Sequence, residues 1–117
     1  MANPFVHVEL NTTDLPKAKA FFGALFDWKL EDMEGDEYTV INVGDGTGGG
    51  MMTQMAPGAP SAWLPYIYVD DIEPYLKKAE SLGGTVVTGI TEVMEMGWLA
   101  IIADPTGTPF GLWKTKM

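Results

Sequence analysis

The chain has 117 residues, which fits one domain with a single buried core. Seven lysines and no arginine stand against sixteen acidic residues, and the formal charge of −9 repels phosphate backbones and argues against a nucleic-acid partner. The absence of cysteine excludes disulfides, thiolate metal sites and Cys nucleophiles; no apolar run approaches the ~18 residues of a membrane span, so a cytoplasmic protein without a membrane partner is expected.

Residues 5–10, FVHVEL, alternate as a strand. Asp14 or Thr13 then caps a helix with Pro16 in its first turn, and Leu15, Ala18, Phe21, Phe22 and Leu25 recur as its apolar stripe. Trp28 follows and is expected to staple the helix end. Three strand-like stretches come next, at 28–33, 37–43 and 49–55, with the glycine-rich loop 44–50 running into the third. That loop lacks both a following helix and a Lys-Ser/Thr pair, so it does not read as a phosphate cradle.

Residues 56–62 form a Pro-containing linker, and a second strand begins at Leu64 with LPYIYVDD. Asp70 or Asp71 caps a second helix with Pro74 in its first turn, striped by Ile72, Tyr75, Ala79 and Leu82 and stopped by Gly83-Gly84. Strands at 85–91, 97–103 and 108–115 complete the chain. A shift of 57 residues carries Leu15 to Ile72, Ala18 to Tyr75, Phe22 to Ala79 and Leu25 to Leu82. The order βαβββ thus occurs twice, an internal repeat of nearly half the chain. The expected fold is α+β, one domain over 1–117 built from modules at 1–55 and 63–117.

Alternation sorts each strand into two columns. Val6, Val8 and Leu10 form an apolar column, as do Pro65, Ile67 and Val69, and Phe110 with Leu112; these face the helices. The opposite columns hold Phe5, His7 and Glu9, then Leu64, Tyr66 and Tyr68, then Pro109, Gly111 and Trp113. Aromatic residues mixed with a few polar groups suit a ligand cleft, although a partly wet sheet face gives the same pattern. Trp98 fits either column, because the register after Gly97 is open. Trp63 belongs to the same second-half aromatic set. Each aromatic either fills the core or stacks on a flat or cationic ligand.

The stretches VHVELNTTDLPKAKAFFGALFDWKL, YIYVDDIEPYLKKAESLGGTV and IIADPTGTPFGLW together resemble the vicinal oxygen chelate superfamily, which includes glyoxalase I, bleomycin-resistance proteins and extradiol dioxygenases. The resemblance covers nearly the whole chain. It implies two βαβββ modules whose eight strands curl around a cleft, helices outside, often as a homodimer. Metal-using members place one His or Glu ligand on each of the first, fourth, fifth and eighth strands.

His7 matches the first of these positions, seven residues before Asp14. The fifth-strand position, six before Asp70, is Leu64; the eighth-strand position, seven after Asp104, is Gly111. The fourth-strand region is Gly50-Met51-Met52, without a carboxylate. No metal or other cofactor is therefore expected, and the missing side chain at Gly111 is expected to leave space on the cleft floor. The resemblance then points to a metal-free protein that binds a small aromatic or cationic molecule through His7, Glu9, Met52, Tyr66, Tyr68, Trp98, Gly111 and Trp113. The alternative is a metal-dependent lyase, isomerase or dioxygenase that recruits Glu9, Glu92 or Glu95 beside His7. His7 is either a hydrogen-bonded structural residue or a general base.

Overall fold

The computed structural model describes residues 3–33, 38–54, 58–93 and 95–116. Its elements follow the repeated order: β1 (Phe5–Thr12), α1 (Leu15–Leu25), β2 (Lys29–Asp32), β3 (Thr39–Asn42), β4 (Gly49–Thr53), β5 (Ala62–Tyr68), α2 (Ile72–Ser81), β6 (Thr85–Val93), β7 (Gly97–Ala103) and β8 (Pro109–Thr115). The expected strand ends at Glu37 and Met55 and the linker start at 56–57 lie outside the described residues. The linker gives up its other end, because Ala62 already belongs to β5.

Within each half the strands form a mixed parallel and antiparallel sheet, in the order β2-β3-β4-β1 in one and β5-β8-β7-β6 in the other. Residues 7–64 form one compact unit, and residues 65–117 with the first six form the other. The N-terminal residues join the second unit by hydrogen bonds. The Pro4 carbonyl accepts from the Tyr68 N–H at 2.8 Å, and Asn3 Nδ2 donates to the Tyr68 carbonyl at 3.1 Å.

In the first unit, β4 is flanked by β1 in parallel and β3 in antiparallel, and β2 pairs with β3. Asp14 is the helix cap: its Oδ1 accepts from the Lys17 N–H at 3.1 Å, satisfying one donor that a helix start leaves orphaned. The α1 stripe then packs Leu15, Ala18 and Phe22 onto Leu10, Ile41 and Met51. Trp28 stacks on Phe22 with ring centroids 5.8 Å apart and leans on Phe26, as a staple at the helix end does. Trp63 lies on this same side, edge-on to Phe22. It packs against the helix instead of joining the second-half aromatic set.

The second unit repeats the plan with other side chains. β8 is flanked by β5 in parallel and β7 in antiparallel, with β6 on β7. Asp71 takes the cap position of α2, and Gly83, at φ 95°, ends the helix while the Gly84 N–H returns to the Ala79 carbonyl at 2.8 Å. Ile72, Val69, Ala100, Ile102 and Leu112 form the core, joined by Ile67, Tyr75, Leu76 and Phe110. The Asp104 turn is tied by its own carboxylate, which accepts from the Thr106 hydroxyl and from the Thr106 and Thr108 N–H groups. Those bonds hold the Asp104 carboxyl below the usual carboxylate range.

Met51 and Met52 are adjacent in sequence but on opposite sides of β4. Met51 is fully buried at 0% exposure under α1, whereas Met52 is half-buried on the other face. Met51→Ala should cost about 2–5 kcal/mol in chemical denaturation. Met52→Ala should cost clearly less, and equal costs would contradict this assignment of faces.

Candidate functional site

The face of the first unit turned away from α1 is set by β1 and β4. Their register pairs Val8 with Gly49, Glu9 with Gly50, Leu10 with Met51 and Asn11 with Met52. Leu10 and Met51 are in the helix-side core, so Glu9, Gly50 and Met52 share the opposite face, and His7 joins them by alternation. Glu9 is buried there at 9% exposure. His7 beside it is half-buried. Its Nε2 lies 2.6 Å from the Tyr38 hydroxyl, and the two rings are nearly parallel at 18°.

Tyr38 was not apparent as a site residue in the sequence. It stands just before β3, in the column of Val40 and Asn42, and Val40 pairs with Gly50. A side chain on Gly50 would overlap the hydroxyl end of Tyr38. The available signal was an aromatic residue at the start of a strand bordering a strand with adjacent glycines, the setting in which a ring covers a glycine.

The second unit has the matching arrangement. Its β5–β8 register pairs Tyr66 with Gly111, Ile67 with Leu112 and Tyr68 with Trp113. Ile67 and Leu112 are on the α2 side, so Tyr66, Tyr68, Gly111 and Trp113 share the other face. A side chain on Gly111 would overlap the ring of Tyr66, which is only 3% exposed. The expectation of open space over Gly111 is therefore corrected: Tyr66 fills it. Tyr68 and Trp113 form the next rung, both half-buried, and the Trp113 indole N–H donates to the Thr115 hydroxyl at 2.9 Å.

Trp98 requires the other correction. It pairs with Lys114 and falls in the column of Ala100 and Ile102, so it packs on the α2 side, away from Tyr66 and Trp113. Lys114 and Lys116 lie over its ring at 5.5 and 5.2 Å, and Lys116 also pairs with Glu92. A lysine-covered Trp on the core side is not available to a ligand on the opposite face.

The registers also align the halves. Glu9 with Gly50 corresponds to Tyr66 with Gly111, and Leu10 with Met51 to Ile67 with Leu112. Gly50 is thus the first-module counterpart of Gly111, and His7 that of Leu64. His7, Leu64, Gly111 and the region of Gly50 are the positions that the resemblance marks for metal ligands, and of these only His7 carries a donor side chain. Among the described residues no group of three or more His, Cys, Asp or Glu could hold a metal ion. Tight binding of a resident transition metal takes about three or four protein donors. Among the described residues, the donors at these positions do not fit one.

The match to a family model for the Glyoxalase/Bleomycin resistance protein/Dioxygenase superfamily runs over residues 5–112. The chain belongs to that superfamily. Among its relatives is a protein of Mycobacterium tuberculosis provisionally named a glyoxylase, CFP32. It is 34% identical over 117 residues, covering 93% of this chain and 44% of that one. The anthracycline biosynthesis protein DnrV of Streptomyces peucetius is 35% identical over 57 residues, covering 49% of this chain and 21% of its own. The chain thus spans less than half the length of the curated relatives it matches. Methylmalonyl-CoA epimerase from Mycobacterium tuberculosis shares the fold, with a TM-score of 0.73, 14% identity and coverage of 97% of this chain and 88% of that one. No helix among the described residues is long and apolar enough to cross a membrane.

Burial lowers the His7 pKa below its ordinary value of 6.5, so the imidazole is neutral at pH 7. The unfolded chain binds this proton at a higher pH than the folded chain does. Stability should therefore fall as pH drops through about 6.5 and level off below the folded value. Urea midpoints taken between pH 7.5 and 5 should show this loss, and His7→Gln should remove that component. An unchanged pH dependence in His7→Gln would contradict it.

Proposed function

We propose that the protein is a cytoplasmic, metal-free glyoxalase/bleomycin resistance-type binder of a small planar aromatic or cationic molecule. The observation that carries the reading is the aromatic rung of the second module. Tyr68 and Trp113 pair side by side and half-exposed, next to Tyr66 held flat on Gly111. Flat, rigid rings on a β-face stack with planar ligands at little conformational cost, and they attract cations through their faces. The first module offers a polar face of its own, with His7, Tyr38, Glu9 and Met52 as candidate contacts. A net charge of −9 favours a cation over an anion.

The name of one relative supports the same ligand class. Anthracyclines are fused-ring aromatics, and one relative is named for their biosynthesis. The other reading, a metal-dependent lyase, isomerase or dioxygenase, needs Glu9, Glu92 or Glu95 recruited beside His7, and Glu92 is paired with Lys116.

Titration with proflavine, a planar cation, and with a neutral hydroxyanthraquinone tests the proposal by tryptophan fluorescence. Saturable quenching by at least one probe is expected, with the probe recovered unchanged. Trp113→Leu should weaken that binding by roughly tenfold, the effect of losing a stacking partner worth about 1–1.5 kcal/mol. Flat titrations with both probes, or undiminished binding in Trp113→Leu, would overturn it.

A further inference from the structure

We propose that Gly50 is a positioning residue: it is kept bare so that the Tyr38 hydroxyl can sit on β4 and hold the His7 imidazole, giving the first module a phenol–imidazole pair in place of a metal-ligand pair. The inference goes beyond the binding proposal and does not depend on which ligand is bound.

Glycine on a strand has three common reasons: a left-handed backbone, a close backbone approach, or a neighbouring side chain that needs the volume. Among the described residues the positive-φ glycines are Gly44, Gly46, Gly58, Gly83 and Gly107, so Gly50 and Gly111 are not of that kind. The close atoms around a side chain at either position belong to tyrosine side chains, Tyr38 over Gly50 and Tyr66 over Gly111. Adjacent Gly49 shows the contrast, since a side chain there would overlap the Val8 backbone. The nearest contacts at both positions are thus tyrosine side-chain atoms, and space for a ring is the reason they point to. The same exchange occurs at equivalent rungs of both modules, although different strands supply the tyrosines.

The consequences differ between modules. Tyr66 fills its seat as a buried ring. Tyr38 brings its hydroxyl to Nε2 of His7, a nitrogen through which histidine commonly binds metal. A donor at Gly50 would have to displace Tyr38, and a metal on His7 Nε2 would have to break the phenol bond. The hydroxyl also fixes which ring nitrogen is tied, and so orients the imidazole as a second partner orients a ligating histidine.

His7 is the only histidine in the chain, so its imidazole resonances need no assignment. The test is a pH titration with two-bond 15N correlation of that imidazole in wild type, Tyr38→Phe, Gly50→Ala, Tyr38→Ala and Gly50→Ala/Tyr38→Ala. Gly50→Ala should shift the Nε2 resonance and move the titration midpoint, as Tyr38→Phe does by removing the hydroxyl directly. With Tyr38→Ala in place, adding Gly50→Ala should change neither further. An unshifted imidazole in Gly50→Ala, or an equal shift with and without the Tyr38 ring, would overturn the proposal. Should Gly50→Ala not fold, its rescue by Tyr38→Ala supports the seat; failure of both to fold refutes it.

Discussion

A residue on a pleated strand can project its own side chain over the sheet or leave that volume to a neighbour, but not both. At Gly50 and Gly111 the volume goes to tyrosine rings. Both glycines lie on the face opposite the helices and hold equivalent places in their modules, opposite Glu9 and Tyr66. The superfamily resemblance implies a metal donor on these strands in members that use a metal. Here each strand serves as a platform, and the chemistry of the face follows from what is seated on it.

The two platforms carry different loads. In the second module the seated ring is followed by Tyr68 and Trp113, giving a run of aromatic faces along β5 and β8. In the first module the seated residue delivers a hydroxyl to a half-buried imidazole beside a buried carboxylate, Glu9. Desolvation keeps His7 neutral near pH 7, so it acts as a hydrogen-bonding group there and not as a fixed charge. One face suits stacking and the other suits directional polar contact.

Much of this was legible in the sequence. The duplicated βαβββ order, the Asp14 cap and the columns of β1, β5 and β8 follow from alternation, helical spacing and turn chemistry, all local signals. Gly111 could be read as a position without a donor. That Tyr66 covers it could not, because alternation gives the face of each strand but not the partner across the rung. Tyr38 escaped notice for the same reason: its importance comes from the β3–β4 register, a non-local fact. Trp98 was ambiguous because β7 opens on a glycine, and pairing with Lys114 decided its side. Trp63 looks in sequence like part of the second-half aromatic set; its contact with Phe22, some forty residues earlier, draws it to α1.

On the proposed reading, these platforms stand in place of a metal centre. Equilibrium dialysis of the purified chain against zinc, nickel and iron(II) tests it, with bound metal read by elemental analysis and the His7 imidazole by NMR. Only substoichiometric metal, with the His7 resonances unmoved, is the expected result. A stoichiometric, chelator-sensitive ion that shifts the His7 imidazole would contradict it.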